Sequence, residues 1–279
     1  MAQCHTAGRL AVLVLVAVGL LGIDRGADGS FGERRSLHFV VLEDVAIDGY
    51  VQRRRFQRQV TAVLEHAYRS IGDVLGLRPR GKVRVVLYDP RAFDRLYGRL
   101  FGFRAAGFYE TAIHVRAGVR VDLALARTLH HEYTHAALAA AARGYRPPGW
   151  VSEGLAEWFE ARSVGQRALG RGQRRRLWLA ARHGGVPTLS ALGAPSFVGL
   201  SAEQADVAYL WSYAAIDHLA HRGRSAQLRR FVEILLRSRS PGIALRRVYR
   251  LDLDALDREL RLRLGALPAG AESPRAGRL

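Results

Sequence analysis

The spacing of apolar positions divides the chain into a β-rich beginning and a long helical remainder. The runs "LHFVVLED" (37–44) and "KVRVVLY" (82–88) are rich in β-branched residues and predict strands. Between them Val60, Val63, Leu64, Ala67, Ile71 and Leu75 recur at spacings of three and four, which predicts a helix over 52–75 that "GLRPRG" ends. A short helix is predicted from Asp89, with Pro90 in its first turn. The stretch "AAGFYETAIHV" (105–115) holds two short β-type pieces, read as an edge hairpin. From Asp122 the pattern turns helical, over 122–141, 150–162, about 166–182, 203–221, 224–238 and 252–264. Strands first and helices afterwards predict an α+β fold rather than alternating βαβ units. Its form is a small N-terminal mixed or antiparallel sheet with helices packed on it, followed by a mostly helical C-terminal subdomain.

The two ends read differently. Residues 10–23, "LAVLVLVAVGLLGI", are fourteen apolar or Gly positions preceded by Arg9, shorter than the ~20 residues of a spanning helix. They predict a signal peptide within residues 1–30, or, since no clean A-x-A follows, an uncleaved N-terminal anchor. Either implies export to a periplasmic, extracellular or membrane-anchored location. Residues 31–265 are expected to form the main domain, β-rich to about 118 and helical from 122. The Pro-, Gly- and Ala-rich stretch 266–279 is expected to be a disordered tail. Cys4, the only cysteine, precedes the apolar run, so a cleaved protein would contain neither disulfides nor thiolate metal ligands.

Charge changes the picture less than its size suggests. The formal charge is +18, and Lys82 is the only lysine, so arginine carries nearly all of the positive charge. Arginine suits phosphates and carboxylates, which makes a cell-envelope polyanion or an anionic membrane surface a conceivable partner; no specific nucleic-acid recognition is expected. Net charge speaks to solubility and association rather than fold. The runs at 52–58 and 171–177 read as solvated helix faces.

The chemistry concentrates in "LHHEYTH" (129–135). His131 and His135 are four residues apart on a predicted helix and can grip one ion from one face, the H-E-x-x-H arrangement. Glu132, turned about 100° from His131, can lie beside a metal without ligating it. A catalytic zinc needs a third protein ligand and an open position. Seventeen residues separate His135 from Glu153, enough for the chain to reverse through "ARGYRPPG" and return an antiparallel helix. Ser152 or its neighbours can start that helix. Glu157, one turn beyond Glu153, can accept the N–H of a ligating histidine. His130 reads as structural and His114 as a surface histidine. His218 and His221 sit on a late helix, are expected to have no acidic companions nearby and are assigned no role. Trp150 and Trp158 read as packing residues.

"HEYTH" followed by "PPGWVSEGLAEWFE" resembles the gluzincin metallopeptidases, most of all the bacterial peptidase MA-like group. The resemblance is strong over 122–162 and looser over 203–264 and the preceding β region. It implies a zincin-like fold with one zinc on His131, His135 and Glu153, Glu132 as general base and Glu157 supporting a ligand. The implied activity is hydrolysis of peptide bonds in a peptide or protein substrate by a zinc-bound water, whose pKa falls toward about 7. The oxyanion donor would be Tyr209 or Tyr213, one turn apart on the next long helix, with Tyr213 slightly preferred. The G-x-M-E-N motif of the aminopeptidase branch is missing before the zinc helix, which favours endopeptidase-type or unassigned activity. The edge strand 107–115 could bind an extended peptide by strand addition. The competing reading is a non-catalytic, zinc-containing envelope protein that binds polyanions through its arginines.

Overall fold

The computed structural model describes residues 31–98, 105–223 and 225–265. The expected leader or anchor (1–30) and tail (266–279) lie outside the described residues. The β half holds β1 (Gly32–Arg35), β2 (Phe39–Asp44), α1 (Tyr50–Leu75), β3 (Val83–Tyr88), α2 (Pro90–Tyr97), β4 (Gly107–Tyr109) and β5 (Ile113–Arg116). The helical half holds α3 (Leu123–Ala142), α4 (Gly149–Ser163), α5 (Arg171–Arg182), α6 (Ala202–Arg222), α7 (Ser225–Ser238), α8 (Pro241–Tyr249) and α9 (Leu253–Gly265), with a 3₁₀ turn at Ala191–Gly193. This is the α+β arrangement that the apolar pattern predicts, a mixed sheet followed by a mostly helical part.

The five strands lie in the order β1-β2-β3-β5-β4. The inner three are parallel and the two edges antiparallel to their neighbours. Parallel neighbours need a crossover, so β2–α1–β3 is a local βαβ unit that the expectation of unalternated strands and helices does not contain. Two further elements escape the pattern. "GERR" of β1 has no apolar position to alternate, and α8 opens on Pro-Gly, which reads as a turn.

Packing from the sheet outward fixes the helix that bears the histidines. The apolar stripe of α1 (Val60, Leu64, Ala67 and Ile71, all 0% exposed) belongs to the same core as α3. On α3, Leu129 and Tyr133 are fully buried, and the Tyr133 ring meets Phe39 of β2 edge-on at 5.3 Å between centroids. Helix α3 starts at an Asp122 cap, whose Oδ1 accepts the Leu125 N–H at 2.8 Å. Six residues, 143–148, connect it to α4, a length that favours antiparallel neighbours.

Helix α4 in turn lies hard against α6. A Cβ at Gly154 would sit 2.4 Å from the Ser212 carbonyl oxygen and 2.7 Å from Ile216 Cγ1, both on α6. The glycine between the two glutamates of "SEGLAE" is therefore required by the neighbouring backbone. Gly→Ala inside a helix ordinarily stabilises by about 0.5–1 kcal/mol. Here Gly154→Ala is expected to destabilise by about 1–3 kcal/mol through overpacking, read as a lower midpoint in thermal or urea unfolding. A raised midpoint would contradict the close approach.

Candidate metal centre

Several polar side chains lie where α3 and α4 would be expected to present apolar ones. His131, Glu132 and Glu153 are 0% exposed and His135 is 2%. Groups of this kind are costly to bury without partners. His131 Nε2 lies 3.4 Å and His135 Nε2 3.3 Å from Glu153 Oε2. The antiparallel sense of the helices is visible in the pairing. His135 meets Ser152 and Glu153, whereas His131 meets Glu153, Glu157 and Glu160.

The remaining ring nitrogens each find a partner on α4. His131 Nδ1 is 2.9 Å from Glu160 Oε2, and a carboxylate only accepts, so Nδ1 carries a proton and Nε2 is the nitrogen that faces Glu153, free to ligate when unprotonated. His135 Nδ1 is 3.1 Å from Ser152 Oγ, leaving its Nε2 to the same centre. Both Nε2 atoms and both Glu153 oxygens are buried without a hydrogen-bond partner. Two donors on one tetrahedral ion at zinc distances of ~2.0–2.1 Å are about 3.3 Å apart. The observed separations match that spacing, so the His131–His135–Glu153 cluster can hold one divalent ion. An imidazole, imidazole and carboxylate set suits zinc.

Charge points the same way. Glu132, Glu153, Glu157 and Glu160 crowd around His131, with Arg127 as the guanidinium among them. Burial, joined by the charges of Glu153 and Glu160, pushes the Glu132 carboxyl well above its usual range. Burial and then Glu160 raise Glu157 to about 8. Burial alone would raise Glu153, but His135 and His131 bring it down to about 2. A bound divalent cation supplies the positive charge that this group of carboxylates lacks.

The structure gives the hydrogen bond on His131 to Glu160, while Glu157 Oε1 stays 3.8 Å from the same nitrogen. Glu153, Glu157 and Glu160 share one face of α4 at spacings of four and three. Arg127, one turn before His131 on α3, decides between the last two, because its Nε donates to Glu160 Oε1 at 2.8 Å. Glu160 is thus tied between a guanidinium and an imidazole. His131, Glu157 and Glu160 also form a second group with donor atoms close together. The protonated His131 Nδ1 and the Arg127 pair make it a support for the ligand rather than a second cation site. Glu160→Gln is expected to weaken zinc affinity by about 10–100-fold, and Glu157→Gln by clearly less. Chelator competition checks both, and equal losses would contradict the assignment. Ser152, expected as a helix start, lies inside α4, whose first residue is Gly149.

Both Glu132 carboxylate oxygens are buried without a partner. Edge strand β4 passes directly over this side chain. A Cβ at Gly107 would lie 3.2 Å from Glu132 Cγ and 3.1 Å from Thr128 Cγ2, so a glycine lets the strand approach. The Tyr209 hydroxyl is buried without a partner. Its pKa is pushed well up by burial and then by Glu153, Glu157, Glu132 and Glu160, so it remains a donor beside the cluster. Tyr213 lies further along α6. Burial, Asp217 and Arg162 dominate its surroundings, with a net rise to about 12.

The other histidines stand elsewhere. His130 donates from Nδ1 to the Ala126 carbonyl at 2.8 Å and accepts at Nε2 from His66, 3.0 Å away. His114 is half-buried rather than fully at the surface. It stacks on Phe108 at 4.7 Å with an interplanar angle of 9°, and burial lowers its pKa to about 4. Both late histidines do have acidic companions: His218 meets Glu259 Oε2 at 2.8 Å, brought in from α9, and His221 Nδ1 lies 3.5 Å from Asp217 Oδ2 one turn back on α6. Trp150 (0%) and Trp158 (6%) are buried.

Together the mixed sheet, the paired helices and the buried His-His-Glu cluster define a zinc-protease-like site. Comparison with protein-family models and with curated proteins gives no match.

Proposed function

We propose that this chain is an exported zinc-dependent peptidase of gluzincin type, with the metal on His131, His135 and Glu153 and with Glu132 as general base. The observation that carries the reading is Glu132 itself, a fully buried carboxylate without a hydrogen-bond partner beside the metal cluster. A purely structural zinc has no use for it. Such a site also ordinarily closes with a fourth protein ligand, whereas the cluster has three members.

When bound, zinc supplies Lewis-acid polarisation of a carbonyl and acidifies water. The chain's own groups do the rest. Glu132 takes the proton of the attacking water and delivers it to the leaving amine. Of the two buried, unpartnered tyrosine hydroxyls, Tyr209 feels all four carboxylates and is our choice of oxyanion donor; Tyr213 is influenced mainly by Asp217 and Arg162. Glu160 holds His131 with Nδ1 protonated and Nε2 toward the site, and Ser152 orients the His135 ring through its Nδ1. Edge strand β4, closed over Glu132 through Gly107, offers the backbone on which an extended peptide could align. Polyanion binding is the second role that the arginine-rich composition admits, compatible with the first.

The test removes and restores the metal. Cleavage of a mixed peptide library should disappear on chelation and return with one equivalent of zinc. Cleavage indifferent to chelation, or none by the zinc-loaded protein, would overturn the proposal.

A further inference from the structure

One end of the sheet carries a surface that the peptidase reading does not use. Strands β2, β3 and β5 stop in register there, with Asp44 opposite Tyr88 and Tyr88 opposite Arg116. Strand β1 runs the other way and begins at the same end, Gly32 facing Glu43. Neighbouring strands are ~4.8 Å apart, so these four ends spread over only about 15 Å. Five of the ten exposed large apolar side chains among the described residues belong to segments adjoining this end. Phe31 precedes β1, Tyr50 and Val51 open α1, and Val119 and Leu123 lie between β5 and the first turn of α3. Tyr50, Val51 and Leu123 are each at least 70% exposed. Single exposed apolar residues are ordinary; their gathering at one end of one sheet is not.

The charges around them are mainly positive. Arg54, Arg55, Arg91 and Arg120 are exposed at this end. Helix α1 has no acidic residue in its first turn, so its arginines stand near the positive end of the helix dipole, an arrangement that an external anion would relieve. Most nearby carboxylates are engaged. Asp89 and Asp122 cap α2 and α3, Asp94 pairs with Arg116, and Glu43 is buried against Gln57. Glu33 of β1 pairs with Arg35, and Asp44 and Asp48 are the remaining exposed acids there.

The chain reaches this end directly from its apolar segment. Only eight residue steps separate Ile23 from Phe31, a span of at most roughly 29 Å fully extended. β1 then starts at the end that bears the patch, so this end lies within that reach of residue 23. No helix among the described residues is long and apolar enough to cross a membrane. A surface of protruding aromatic and aliphatic side chains interleaved with arginines is suited to lying on one.

We infer that the strand-terminal face bearing Tyr50, Val51 and Leu123 docks on a bilayer containing anionic lipid, so that the domain rests on the membrane in a fixed orientation. The inference is independent of catalysis. The test uses the full chain with Cys4→Ser and a single new cysteine, Val51→Cys, Leu123→Cys or, as a control on α9, Leu262→Cys, which replaces a leucine 73% exposed. Each is labelled with an environment-sensitive dye and mixed with vesicles of phosphatidylcholine and phosphatidylglycerol carrying brominated acyl chains. Unchanged thermal midpoints establish that the labelled chains are folded. Labels at 51 and 123 should shift to the blue and be quenched several-fold more than the label at 262, and Arg54→Glu with Arg55→Glu should shrink that difference. Equal quenching at all three positions on chains that sediment with the vesicles would overturn the inference. So would labels at 51 and 123 that respond to an added soluble protein and not to vesicles.

Discussion

Glu153→Ala should leave the protein without its metal. The two Nε2 atoms that face Glu153 Oε2 at 3.4 and 3.3 Å would be left as a two-histidine site, with little to hold zinc against a mild chelator. Loss of a group that merely supports a ligand costs about 10–100-fold in affinity, and loss of a ligand should exceed that. Zinc content after dialysis against chelator reads the effect directly. Stability should respond as well, since a ligand bound to the native state alone stabilises it by mass action. Zinc should therefore raise the thermal midpoint of the wild type, and that rise should vanish in the variant. Full zinc retention by Glu153→Ala would remove Glu153 from the site.

Glu132→Gln should separate binding from chemistry. The amide keeps the size of the carboxylate and does not touch the three proposed ligands, so zinc content should stay at one per chain. What is lost is the proton acceptor. General-base catalysis contributes about 10²–10⁴-fold, and kcat should fall by that much with KM little changed. Burial of Glu132 sharpens the expectation. Both oxygens lack partners and the side chain is 0% exposed, so the neutral amide replaces a carboxyl whose ionised form burial already disfavours. The variant should unfold at the same temperature as the wild type or higher. An active Glu132→Gln protein would show that the carboxylate is not the base.

How far the sequence foretells this arrangement depends on how local each feature is. The four-residue spacing of His131 and His135 is a helix property, readable from the chain alone, and the return of Glu153 needs only a reversal of adequate length. The α+β order was legible for the same reason, since each long helix repeats its apolar stripe within itself. Features decided by a second element were not. Glu157 and Glu160 occupy one face of α4, and only Arg127 on α3 shows which of them holds His131. Ser152 reads as a helix start until the backbone places it one residue before Glu153 against His135. The parallel pairing of β2 with β3 across 38 intervening residues, 45–82, leaves no local trace. β1 is held by backbone pairing while its side chains are all charged or absent. The half-burial of His114 comes from Tyr88, Tyr97 and Phe108, which no spacing around residue 114 reveals.

The central claim is that a zinc-loaded chain hydrolyses peptide bonds with Glu132 as its base. Mass spectrometry of a mixed peptide library incubated with zinc-loaded wild type and, in parallel, zinc-loaded Glu132→Gln tests it most directly. New peptide termini should accumulate with the wild type and fall by at least about 100-fold with the variant at equal zinc content. No new termini from the wild type, or the same termini at the same rate from both proteins, would contradict it.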